Sequence, residues 1–212
     1  MKDIKLIIFD LDGTLVDAYP AIERSFNYTM KKMGYPARDP SAIRRTVGWG
    51  DERLLRPFIR SQDLKKALSI YRKHHKSALL KGAHLFAGGA KVLTYLKKKG
   101  YKLAVASNRP TKFSLILIRH LKIKKFFDYY LCADKLRHGK PHPEILNKIR
   151  QHFSLEPKDV IYIGDMIIDA EAAQRAGIRA ILVPTGSSTR QELKKEKPYR
   201  MIGKITELSK ML

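Results

Sequence analysis

Short, mostly apolar runs of five or six residues recur along the chain at Ile4–Phe9, Lys102–Ala106, Asp159–Ile163 and Ile178–Val183. Runs of that length, closed by Gly, Asp or Ser, predict buried strands that end in loops. Between the last three the apolar positions fall three or four apart, which predicts helices. Thr111–Leu121 carries Leu115, Ile118 and Leu121 on one face, and Pro143–Phe153 carries Leu146, Ile149 and Phe153. Ile168–Ala176 is Ala-rich and stops at Gly177, a favoured residue just past a helix end. Alternating strands and helices imply a parallel sheet covered by helices, whose sites lie at the carboxyl ends of the strands. The charged stretch Arg190–Lys197 is expected to run over the surface before a last helix near Ile205–Met211.

One region breaks the alternation. From about Tyr19 to Lys81 the pattern is helical throughout, with stops at Gly34, Gly48 and Gly50. Ile22, Phe26, Met30 and Met33 share a face, and Leu64, Leu68 and Tyr71 mark a longer helix. Asp39-Pro40 predicts a cap followed by proline at the first helical position, and Asp51 is expected to cap the next helix. The expected organisation is an α/β core from residues 1–17 and 83–212, with an all-helical domain of residues 18–82 inserted after the first strand. Gly82, Gly88 and Gly89 supply hinge material at the return.

Composition narrows the class. The chain has 212 residues, 43 Lys+Arg against 20 Asp+Glu, and a formal charge of +23. An excess of that size makes nucleic acid or a membrane surface the first partner to weigh. No apolar run approaches the ~18 residues of a membrane span. The short apolar core Leu6–Phe9, flanked by Asp3 and Asp10, is no signal-peptide pattern. The single cysteine, Cys132, excludes an internal disulfide framework and reads as a small buried hydrophobe. These features predict a cytoplasmic protein.

Candidate chemistry gathers at the predicted strand ends. Asp10 and Asp12 stand two apart after the first strand, followed by Gly13 and Thr14. Two such carboxylates repel, so a cation or a proton must relieve them. That suits a pair in which one attacks and the other trades protons, although two Asx residues closing a strand fit the spacing equally well. Ser107-Asn108 follows the second strand, Lys140 sits in Gly139-Lys140-Pro141, and Gly164-Asp165 closes the third, with Asp169 one helical turn on. A hydroxyl, a lysine and two carboxylate pairs would then meet at one rim. Oxygen ligands without a Cys or His cluster point to Mg2+.

Phe9-Asp10-Leu11-Asp12-Gly13-Thr14-Leu15 with Asp17, then Ser107-Asn108, Lys140-Pro141 and Gly164-Asp165 with Asp169, resemble the four motifs of the haloacid dehalogenase-like (HAD) hydrolases, in the family's order. The resemblance spans the whole chain, and the helical insert lies where the phosphoglycolate phosphatase-like branch carries its cap. It implies a Rossmann-like three-layer α/β core with a four-helix-type cap. It also implies a Mg2+-dependent phosphatase for a small phosphorylated metabolite. Asp12 stands where dehalogenases have an aromatic residue and phosphonoacetaldehyde hydrolases an alanine, so phosphomonoester chemistry is favoured. A β-phosphoglucomutase-like mutase is the alternative, although that group usually has valine in place of Thr14.

In that resemblance Asp10 attacks phosphorus to form an aspartyl phosphate, while Asp12 protonates the leaving oxygen and then activates water. The metal is held by Asp10, the Asp12 carbonyl and Asp165, with Asp169 direct or through water. Ser107 and Lys140 bind the phosphoryl oxygens, assisted by Asn108 and Thr14. Arg109, next to them, is a substrate-binding candidate.

The charge excess lies off the acidic motifs. Residues 18–82 carry a net +10 and 83–140 a net +12, whereas 1–17 and 141–185 are slightly acidic. Such a field could steer phosphorylated anions or be only a solvated lysine-rich surface. No zinc-finger, helix-turn-helix or aromatic-basic pattern supports a nucleic-acid partner, the rival reading being a basic binding protein with a vestigial site. Arg44, Arg45 and Gly48-Trp49-Gly50 fit either substrate contact or cap packing. His74-His75, on a Lys-rich helix, are expected to be solvated. His138 and His142, flanking Lys140, fit a substrate contact or a turn-stabilising role equally.

Overall fold

The computed structural model describes residues 3–212. Strand β1, Leu6–Phe9, is buried at all four positions because alternate side chains enter different cores. Ile7 and Phe9 join one cluster, and Leu6 and Ile8 the other. The same alternation recurs in β4 (Lys102–Ser107), β6 (Val160–Gly164) and β7 (Arg179–Leu182), as expected of strands covered on both faces. With β5 (Tyr129–Cys132) and β8 (Arg200–Met201) they form a six-stranded parallel sheet of order β5-β4-β1-β6-β7-β8. Helices α5 (Gly89–Lys98) and α6 (Thr111–His120) cover the first face, and α7 (Glu144–His152) and α8 (Ile167–Arg175) the second. This is the three-layer α/β architecture the alternation predicts. Winding reverses at β1, so the carboxyl ends of β1, β4 and β6 face one crevice.

The insert leaves and re-enters the core through paired strands. Strand β2 (Val16–Asp17) runs antiparallel to β3 (His84–Leu85), within the return segment read as hinge material. Beyond them lie α1 (Tyr19–Lys32), α2 (Pro40–Thr46), α3 (Asp51–Leu55) and α4 (Leu64–Gly82). Phe26 and Met30 of α1 and Ala67, Ala78 and Leu79 of α4 are buried in the first cluster. Asp39 caps α2 through the Ser41 N–H at 2.8 Å, with Pro40 in the first turn, as its sequence predicts.

Three expectations are corrected. Gly50, at φ 91°, caps α3, and Asp51 instead lies in the first turn and pairs with Arg72 at 2.7 Å. Within Arg190–Lys197, Arg190–Lys195 is helix α9, because Thr189 and Glu192 form a reciprocal capping box and Leu193 is buried. The last element, Ile205–Lys210, is a 3-10 helix. Cys132 is buried, as expected. Among the described residues no helix is long and apolar enough to cross a membrane.

Candidate active site

Asp10 follows β1, where its N–H donates to the Ile163 carbonyl at 2.9 Å and ties the motif to β6. Lys140 arrives from the loop after β5 and is fully enclosed, with its side chain 2% exposed. Its ammonium has three N–H donors shared among four oxygens: Asp10 Oδ1 at 2.9 Å, Asp169 Oδ1 at 2.7 Å, Tyr162 Oη at 2.8 Å and the Ala106 carbonyl at 3.2 Å. Burial works against its charge, but the Asp10 and Asp169 carboxylates outweigh it and hold the lysine above its ordinary range. Asp10 moves the other way from a free carboxylate. Burial pushes it up to about 7 despite the attraction of Lys140, and Asp169 and Asp12 push in the same direction.

Asp10, Asp165 and Asp169 each offer an oxygen within 4.8 Å of the others. Asp165 takes the Thr14 hydroxyl on Oδ1 at 2.6 Å, while its buried Oδ2 has no hydrogen-bond partner. Burial, with Asp169 and Asp10 nearby, holds Asp165 well above the ordinary carboxylate range. Leaving such an oxygen unpartnered is costly, so this donor set fits a hard cation that no side chain here replaces. The cradle is tight. Gly13, at φ 84°, and Gly186 have no Cβ, and one at either place would overlap Asp165 Oδ2. Asp169 is less free to ligate: Oδ2 accepts the Asp165 and Met166 N–H groups at 3.0 Å each, and Oδ1 serves Lys140 and Tyr162.

The remaining predicted residues converge on the same pocket in unequal roles. Ser107 Oγ lines it and accepts the Arg109 N–H at 3.2 Å. Asn108 is fully engaged: Nδ2 donates to the Gly48 and Lys140 carbonyls at 2.9 Å each, and Oδ1 accepts the Lys140 N–H at 2.8 Å. It therefore fastens the lysine loop and the cap loop together, where an anion-holding amide was expected. Thr14 likewise spends its hydroxyl on Asp165. Asp12 is held by Arg109 in a two-pronged ion pair at 2.7 and 2.8 Å.

The cap closes the pocket from above. Arg44 donates to the Thr185 carbonyl at 2.9 Å and the Gly186 carbonyl at 3.3 Å, and Arg45 pairs with Glu192 at 3.1 Å. Arg44 thus ties α2 to the Thr185–Gly186 loop and Arg45 ties it to α9. Gly48 and Gly50 line the pocket, whereas Trp49 is 37% exposed and lies under Arg53. The His138 and His142 rings lie tilted to one another with centroids 4.7 Å apart, and both residues brace the turn through Glu144.

His75 contradicts the expectation of a solvated pair. It is 2% exposed, stacked on Tyr71 and edge-on to Phe113, with Nε2 2.7 Å from Arg109 Nη1. His74 is partly buried and stacks on Tyr28. The Lys-rich neighbours hid a one-residue difference in helix face. Tyr162 carries no sequence signal of a role, since inside an apolar strand it reads as core. Its hydroxyl donates to Asp169 at 2.6 Å while accepting from Lys140.

Comparison with known proteins agrees with this construction. Residues 7–183 match the model of the haloacid dehalogenase-like hydrolase family. The chain is similar to a phosphoglycolate phosphatase of Nitrosococcus oceani, 29% identical over 100% of this chain and 98% of that one. A phosphoglycolate phosphatase of Rhodobacter capsulatus is 33% identical over 85% and 84% of the two chains. The crystal structure of a predicted phosphoglycolate phosphatase from Haemophilus somnus superposes with a TM-score of 0.95, at 26% identity, covering 100% of this chain and 99% of that one. The chain belongs to the haloacid dehalogenase-like hydrolases, among the phosphoric monoester hydrolases of the phosphoglycolate phosphatase-like branch that carry a helical cap.

Proposed function

We propose that the protein hydrolyses a small phosphorylated metabolite through a phosphoryl group carried on Asp10, with Mg2+ as its cation. The observation that supports this most is the buried cluster at the pocket floor, where Asp10 meets Lys140 beside the unpartnered Asp165 oxygen. The cavity above it is small, about 50 Å³, and is walled by core and cap residues together.

In this reading an Asp10 oxygen attacks phosphorus, the bond from phosphorus to the leaving oxygen breaks, and Asp12 gives that oxygen its proton. Asp12 then takes a proton from water, whose oxygen attacks phosphorus and releases inorganic phosphate with Asp10 restored. Asp10, Asp165 and the Asp12 carbonyl would hold the cation, with Asp169 direct or through water. Magnesium, when bound, supplies positive charge that balances the gathered carboxylates and phosphoryl oxygens. Ser107 and Lys140 would bind the transferring group, and Asn108 would keep Lys140 in place.

A Mg2+-dependent phosphate-release panel of small phosphomonoesters tests the reading, with Asp10→Asn as control. Wild type is expected to release phosphate from at least one, and the variant to lose on the order of 10⁴-fold or more. Silence of the wild type across the panel, or an active Asp10→Asn, would show the mechanism to be wrong.

A further inference from the structure

Attack by Asp10 does not require Arg109, yet three directed contacts fix its guanidinium in the site. Its side chain is only 6% exposed, and all three of its nitrogens are committed. Nε and Nη2 hold the two Asp12 oxygens, and Nη1 donates to His75 Nε2 at 2.7 Å. Because Nε2 accepts, the ring proton lies on Nδ1 and is donated to Ser25 Oγ at 3.1 Å. The Ser25 hydroxyl in turn donates to the Ala21 carbonyl at 2.9 Å. A matched chain of donors and acceptors therefore runs from α1 through α4 of the cap to an arginine of the core. Burial and the adjacent Arg109 charge drive His75 down to about 2, so it stays a neutral acceptor.

Two needs meet at this guanidinium. The walls near it, which include Ile22, Leu54, Tyr71, Phe113 and Ile168, offer no second cation. Among the described pocket residues the other cation is Lys140, already shared by four oxygens. A leaving group with its own negative charge thus has one partner to find, and that partner is holding Asp12. Asp12, for its part, has both oxygens engaged by Arg109, so work at a leaving oxygen competes with that ion pair.

We propose that Arg109, anchored from the cap by His75, is a clamp on Asp12 that an anionic leaving group releases, the substrate's second anion and Asp12 competing for one guanidinium. The part given to Asp12 rests on the phosphatase reading, but the competition is measurable without turnover. Two probes that differ in one group serve: 3-phosphonopropionate, and propylphosphonate with a methyl in place of the carboxylate. They are titrated calorimetrically into the Mg2+-supplemented protein.

Wild type is expected to bind the carboxylate probe roughly 10-fold more tightly, as a charge-assisted contact gives, and Arg109→Gln to remove the preference. Asp12→Asn frees the guanidinium, so it should tighten the carboxylate probe by about 10-fold, and the gain should vanish in D12N/R109Q. His75→Phe is expected to weaken the preference and His75→Gln, which keeps an acceptor, to restore it. This pair carries the test even if loss of Arg109 impairs folding. Equal affinities in wild type, a preference that survives Arg109→Gln, or a D12N gain that persists in D12N/R109Q would overturn the clamp. Absence of phosphate release with the affinity pattern intact would overturn the hydrolytic reading and leave the clamp standing.

Discussion

The rim of the sheet and the inner face of the cap enclose one pocket by different physical means. At the rim, Asp10, Asp165, Asp169 and Lys140 are each at most 6% exposed, and charge is balanced against charge in little water. On the cap side the contacts nearest the pocket hold at most one charge each: the Arg44 guanidinium meets core carbonyls, a neutral histidine meets Arg109, and Gly48 offers a carbonyl to Asn108, while the Arg45–Glu192 pair lies farther out and is solvated. Buried ion pairs cost desolvation and break severely when one member is lost, whereas a guanidinium at a carbonyl gives up far less. The rim is therefore expected to govern the chemical step and stability, and the cap to govern affinity and selectivity.

The sharpest way to break that contrast is Lys140→Ala. Removing one partner of a buried pair typically costs about 3–5 kcal/mol, so a large fall in melting temperature is expected together with near-complete loss of turnover. Retained activity at unchanged melting temperature would mean that the rim does not depend on its internal pairing. Asn108→Ala, which strands carbonyls of the lysine loop and cap loop, should cost about 1–3 kcal/mol, with turnover reduced on the order of 100-fold. Denaturant melts and steady-state kinetics on one preparation read both.

The metal dependence of stability probes the rim alone. Asp10 titrates near 7 in the metal-free fold and near 3.8 when unfolded, so the folded state binds more protons between these values. Metal-free stability from this group should fall as pH rises from about 4 to 7 and level off above. Mg2+ should remove the penalty, so its stabilising effect grows over the same interval. A Mg2+ increment in melting temperature that stays flat from pH 5 to pH 8 would contradict the placement of the cation among these carboxylates. The smallest effect is expected from Arg44→Ala, which removes a tie between α2 and the Thr185–Gly186 carbonyls. A few-fold rise in KM at nearly constant kcat is predicted, and a kcat loss to match Lys140→Ala would erase the distinction between cap and rim.

What was legible in the sequence follows the same division. Asp10, Ser107, Lys140 and Asp165 each sit just beyond an apolar strand or beside a turn proline or glycine, so local pattern located them. The strands themselves were readable because a parallel sheet buries both faces of each. Strands β2, β3 and β8, of two residues apiece, were not, since pairing with a distant partner and not local pattern makes them strands. His75 and Tyr162 escaped for a related reason. A histidine among lysines and a tyrosine within Val160–Gly164 have unremarkable neighbours, and only packing against Arg109 and Lys140 gives them roles.

The +23 charge lies outside the slightly acidic segments that carry the aspartate motifs, and the order of four short motifs with a helical insert was enough to indicate the family. Sequence by itself thus determined the α/β core, the presence of a helical insert and the residue types gathered at the strand ends, because each is written in local spacing. Tertiary structure alone decided which groups are spent and which are free. Asn108 and Thr14 are committed to holding the site, Asp165 keeps one oxygen unpartnered, and Arg109 grips Asp12 from a chain of bonds that begins in the cap. Hydrogen-bond capacity is fixed by residue type, but where it is used depends on groups far apart in sequence, as with Thr14 and Asp165, 151 positions apart and 2.6 Å from each other.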